Sequence, residues 1–180
     1  MIKSLPVLAA LAVSLFVSAC SFMTGGESAD PNAHKDPGYY CYRAGKGYQA
    51  IQPLLVLAKS SPAIKSSVRQ KISETNDAAI AAYDACTLAV ANGQVVNIAE
   101  QTAKIRALAT TIQNIFIAER NAAKVEGGKD TLVSEITVAL IVVPLNARAV
   151  HEEVKLRLSD PTPISKSELD DLSTLLHNSL

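Results

Sequence analysis

The chain is 180 residues long, with 17 basic and 17 acidic side chains, a formal charge of zero and 48% hydrophobic residues. That length suits one domain with a core of its own, and the even charge balance argues against a nucleic-acid partner, which calls for a basic stripe or patch. With three histidines and three cysteines in the whole chain, a metal cage or a catalytic set has few residues to draw on.

The first 20 residues read as an export signal. Lys3 is their only charge, residues 5–17 are almost wholly apolar, and Ser18-Ala19 supply small side chains before Cys20; a basic start, an apolar core and a small-residue cleavage site are the parts of a secretory signal. Taken without the cysteine, the same run would also suit a buried helix or an uncleaved anchor. Val17-Ser18-Ala19-Cys20 resembles the lipobox of bacterial lipoproteins, and the resemblance covers only this N-terminal stretch. It implies removal of residues 1–19 and lipidation of Cys20, with acyl chains such as palmitate on its thiol and amine; more than one chain is needed for stable anchoring. Ser21, where an Asp would retain the protein at the inner membrane, implies the outer membrane, facing the periplasm. The expected partners are the membrane, through Cys20, and an unknown protein of the envelope.

The same resemblance bears on the other cysteines. If Cys20 is lipidated, Cys41 and Cys86 remain, and an oxidising compartment favours a disulfide between them. Two separately buried thiols are the alternative.

Residues 20–38 form the expected flexible tether, rich in glycine and proline, with a mean reach of roughly 24 Å. His34 lies there without metal-ligand spacing. Residues 39–59 begin the ordered chain and gather Tyr39, Tyr40, Tyr42 and Tyr48, a candidate interface because tyrosine is favoured at contacts; a cover for the core is the competing reading. Gly45-Lys46-Gly47 lacks the Walker spacing and instead suits close helix contact. Pro53 predicts a kink, or a helix restarting with the proline in its first turn.

Ser60-Ser61-Pro62 reads as a helix start. Ile64, Val68, Ile72, Ala79, Tyr83, Cys86 and Val90 then keep helical spacing as far as Asn92-Gly93, a fitting stop. Residues 95–125 repeat the pattern through Ile98, Thr102, Ile105, Leu108, Ala109, Ile112, Ile115 and Phe116. After Gly127-Gly128, Asp130 is placed to cap a third long helix, with Val133, Ile136, Leu140, Val143, Ala147, Val150, Val154 and Leu158 on its stripe. Residues 138–143 are apolar on every side and predict the helix most enclosed by its neighbours. Ile141, Val142, Pro144 and Leu145 are the candidate apolar pocket, because Pro144 breaks a backbone hydrogen bond there. Beyond the 160–163 connector, Ser165 and Glu168 predict a capping box, and Ile164 with Leu169 a hydrophobic staple.

No segment alternates like a strand, so the expected fold is all-α: an antiparallel up-down helical bundle of three long helices plus a shorter first helix and a short C-terminal helix, spanning residues 39–180. The directions of the first and last helices agree, which suggests that they share one column, the last filling its upper third. A turn near residue 62 sets Cys41 roughly 4.5 Å axially from Cys86.

Chemistry is not evident. No Glu-x-x-His pair, no His-Glu-x-x-His, no Cys-x-x-Cys-His and no Gly-x-Ser-x-Gly occurs, so no enzyme, no catalytic residue, no metal and no cofactor is expected. Arg148, His151, Lys155 and Arg157, interleaved with Glu152 and Glu153, read as a solvated mixed-charge face. The leading expectation is a non-enzymatic lipoprotein that presents a helical bundle in the cell envelope for protein interaction or a structural role. A carrier of a small apolar ligand between the helices, and a phage or mobile-element exclusion lipoprotein, are the alternatives.

Overall fold

The computed structural model describes residues 36–125 and 130–178. The signal peptide, Cys20, nearly all of the tether, His34 and Gly127-Gly128 lie outside the described residues. Those described form six helices and no strand: α1 (Pro37–Gln49), α2 (Gln52–Ser60), α3 (Ser66–Ala91), α4 (Val95–Val125), α5 (Asp130–Leu158) and α6 (Lys166–His177). The chain is an all-α bundle, as expected.

The helix ends follow from local chemistry. Asp36 caps α1, its Oδ1 accepting the Gly38 N–H at 3.0 Å, and Pro37 fills the first position, where a missing N–H costs nothing. Helical order therefore begins at Pro37 and not at Tyr39. The chain turns at Ala50 and Ile51 and restarts as α2 with Pro53 in the first turn. α3 ends at Asn92-Gly93, where Gly93 adopts φ +66° and the Gln94 N–H returns to Ala89 O at 2.9 Å. The capping box of α6 is complete, with Ser165 Oγ receiving the Glu168 N–H and the Glu168 carboxylate receiving the Ser165 N–H.

One start differs from expectation. α3 begins at Ser66, not at Pro62. Ser61 is extended, and its hydroxyl donates to Glu135 Oε2 on α5 at 2.8 Å instead of capping. The intervening turn tucks Ile64 into the core at 1% exposure, so tertiary contacts override the local helix signal.

α3 and α4 form a long hairpin, and α5 returns along α4. α1 and α2 run antiparallel to α5: Glu153 receives Tyr42 and Lys46, and Glu135 receives Ser61. α1 sits among α3, α4, α5 and α6, with eight of its 13 residues buried, which makes it the central helix and not an outer column. α6 does not continue α1 end to end. It runs beside α1 in the same direction, Gly38 meeting Ile164 and Gly45 meeting Leu172, and covers the seam between α1 and α3.

Cys41 and Cys86 form a disulfide across α1 and α3, with Cα atoms 5.9 Å apart and both residues fully buried. Gly45 explains the close approach. A Cβ there would fall inside van der Waals contact of the Tyr83 ring and 2.7 Å from Leu172 Cδ2.

Candidate interaction surface

The tyrosine cluster is core and not a presented surface. Tyr39, Tyr42 and Tyr48 are buried, and only Tyr40 stands out, at 43% exposure. The central place of α1 is the physical reason, since a ring on almost any face of this helix meets another helix. Each buried hydroxyl with a described bond reaches across the bundle. Tyr48 Oη donates to Asn76 Oδ1 at 2.9 Å, and Tyr42 Oη donates to Glu153 Oε1 at 3.2 Å. Burial, reinforced by the Glu153 carboxylate, pushes the Tyr42 hydroxyl up to about 12. Burial also raises Tyr48 and Tyr83.

The proposed apolar pocket is likewise corrected. Ile141 is 48% and Leu145 61% exposed, while Val142 and Pro144 are half-buried, so these residues lie on the outside of α5 and enclose nothing. α5 runs unbroken through Pro144. A recess elsewhere, lined by Arg43, Gly47, Tyr48, Ile105 and Arg106, has a volume of about 10 Å³, the space of one water. Burial, with Arg43 nearby, lowers the Arg106 guanidinium.

What the outside of α5 offers instead is a stripe. Val138, Ile141 and Leu145 follow helical spacing, and Val138 is 58% exposed. Ile136, Leu140, Val143, Ala147 and Val154 on the other side enter the core. α5 is thus apolar on two faces but, among the described residues, has neighbours on only one. By length and composition it is the one helix among the described residues apolar enough to cross a membrane, and only 28% of its most apolar stretch is buried. Ser61 to Glu135 and Lys46 to Glu153 set the register of α1 and α2 against α5. Val56, 54% exposed, therefore stands on α2 close to the level of Leu140 and Ile141. Contiguous exposed apolar side chains of this kind mark contact surfaces more often than isolated ones do.

The supposed solvated face near the end of α5 is partly structural. Arg157 is 15% exposed at its side chain and binds Glu168 at 3.1 Å. It also donates to Thr162 O and Pro163 O, at 2.8 and 3.1 Å, tying down the α5–α6 connector. The hydrogen bond to Glu168 holds the Arg157 guanidinium above its usual range, and the same bond, with the Ser165 cap, holds the Glu168 carboxyl below its own. Helical spacing alone gives no sign of this, because the partners lie on a connector. The exposed stripe has a signal in the sequence, a run apolar on every side, but such a run does not distinguish a helix enclosed by neighbours from one with an open face.

Comparison of the chain with protein-family models, curated proteins and solved structures finds no match. Among the described residues, no group of three or more His, Cys, Asp and Glu side chains is placed to hold a metal ion. The geometry offers a rigid, disulfide-bridged bundle with one apolar stripe on its long outer helix.

Proposed function

We propose that the protein is a lipid-anchored, non-enzymatic lipoprotein of the cell envelope, held at the outer membrane through Cys20, that presents its helical bundle to an envelope protein. The anchor rests on the Val17-Ser18-Ala19-Cys20 signal. The observation that carries the interaction reading is the stripe of Val138, Ile141 and Leu145 on α5, which water disfavours and which the bundle leaves uncovered. A partner helix laying its own apolar face along two turns of α5 uses the i, i+3, i+7 spacing these residues supply.

A photo-crosslinking residue placed at Ile141 in cells, with one at exposed Glu74 as reference, tests this. A discrete cross-linked protein at Ile141 that is lost on Leu145→Asp supports the reading. Equal, diffuse labelling at both positions sinks it. A cross-link between two copies of this chain would assign the stripe to self-association. The carrier reading loses its motive, since the residues that suggested a pocket lie on the surface; the exclusion reading has no residue of its own in the bundle and turns on neighbouring genes.

A further inference from the structure

The hairpin that joins α3 and α4 differs in chemistry from the other helix ends. From residue 85 to residue 99 no side chain is charged. The last turns of α3, the 92–94 turn and the first turn of α4 thus make a hairpin tip of apolar, hydroxyl, amide and glycine residues. On it Leu88, Val95 and Val96 are 63%, 65% and 82% exposed. The opposite end carries Lys59, Lys65, Lys124 and Asp130 at or beside its helix ends.

The tip is also where the chain enters the bundle. Cys86 is bridged to Cys41 and touches Ile98 O, and Tyr83 lies against Gly45. Counting along the antiparallel helices from these contacts sets Pro37 level with Val90 or Ala91. The 92–94 turn therefore projects only about 5 Å beyond Asp36 at 1.5 Å per residue. Whatever precedes Asp36 leaves from this end.

We propose that the uncharged α3–α4 tip rests on the lipid bilayer, with Leu88, Val95 and Val96 entering the boundary between headgroups and acyl chains. The inference rests on the lipid anchor at Cys20. Only residues 21–35 separate Cys20 from Asp36, a span of at most about 50 Å. The anchor thus holds the tip at high effective concentration beside the membrane, where a contact too weak to recruit the protein by itself still sets its orientation. The hairpin tip itself brings no charge to desolvate. The charges at this end, Asp160 and Lys166 among them, lie on the neighbouring α5–α6 connector and α6 start, where headgroups can solvate them, whereas the far end carries lysines at or beside three helix ends. With the tip down, α3 stands about 39 Å tall at 1.5 Å per residue, and the α5 stripe faces sideways, open to a neighbouring envelope protein.

The chain contains no tryptophan, so a single introduced one is an unambiguous reporter. Full-length protein carrying Val96→Trp, and a second sample carrying Val125→Trp at the far end, are purified from membranes. Both are reconstituted into phosphatidylethanolamine and phosphatidylglycerol vesicles, with and without acyl-chain bromination. Both positions are over 80% exposed, so the fold tolerates either change, and circular dichroism verifies it. Bromination is expected to quench the Val96→Trp emission at least twofold and to leave the Val125→Trp emission unchanged. No quenching at either position, equal quenching at both, or quenching at Val125→Trp alone overturns the proposal. Intact mass of the same samples reads the anchor separately. An acylated protein without quenching at Val96→Trp removes the tip contact and leaves the anchor, while an unacylated chain removes the anchor and this proposal with it.

Discussion

Removing the Cys41–Cys86 bridge tests how the central helix is held. The bridge closes a 45-residue separation, and the chain-entropy model assigns such a loop about 13 cal/mol/K, or about 4 kcal/mol at 25 °C. Replacing both cysteines with alanine also withdraws two fully buried sulfurs from the α1–α3 contact, adding about 1 kcal/mol for the space left behind. The expected loss is a large share of the roughly 5 to 15 kcal/mol that a domain of this kind possesses. Urea unfolding of the oxidised protein and of the double-alanine variant, followed by circular dichroism, measures it. With an m value of about 2 kcal/mol/M, the midpoint should fall by about 2.5 M, while helicity in water stays close to that of the parent. A loss below about 1 kcal/mol would refute the loop-closure account. Maleimide labelling of both cysteines in the native, unreduced protein would refute the bridge itself.

Other substitutions probe the same packing. Gly45→Ala gains about 1 kcal/mol of helix propensity but drives a methyl into Tyr83 and Leu172; overpacking of about 1 to 3 kcal/mol should win, and a variant with an unchanged or raised melting temperature would show that α1 and α6 can separate freely. Tyr48→Phe strands the buried Asn76 Oδ1 and should cost about 1 to 3 kcal/mol, measured by the same urea titration, with less effect when Asn76 is replaced by Leu as well. Alkaline pH should unfold the protein through its tyrosines. Tyr42 is raised to about 12, and Tyr48 and Tyr83 are raised by burial too, so above pH 10 the unfolded chain releases protons that the folded one retains. By linkage, stability is intact below pH 10 and falls as pH rises toward 12. A melting temperature flat from pH 9 to 11.5 would contradict the burial of these rings.

Much of this fold was legible in the sequence because helices bury stripes. Ile72, Ala79, Tyr83 and Cys86 on α3, and Ile98, Ile105, Ile112 and Phe116 on α4, are spaced as a core face and are core. The capping box at Ser165 and the restart at Pro53 were legible for a similar reason, since each is decided within one turn. Neighbours are not local. The apolar run through Val138 and Ile141 predicts enclosure only if helices stand on every side, and among the described residues α5 has none beyond Leu145. Four tyrosines on a first helix suggest an edge, yet α1 became the centre because Gly38 and Gly45 let α6 close over it. The Arg157 contacts were illegible because two of its partners are backbone carbonyls of a connector, which no side-chain period records.

The end of the bundle where the chain enters is fastened in three ways. The Asp36 carboxylate is divided between two helices: one oxygen caps α1 through Gly38, and the other accepts the Ile164 N–H at 2.6 Å, just ahead of α6. Five residues along, Cys41 is bonded to α3. Arg157 holds the connector from α5 down to the α6 cap. A force applied through residues N-terminal to Asp36 is therefore passed to α3, α5 and α6 before α1 can peel away. The covalent link sits within two turns of the point of loading, ahead of the buried Tyr48 to Asn76 contact farther along α1. A short helix would ordinarily be the weakest member of such a bundle; here its position at the centre and its fastened start make it the element through which the others are joined.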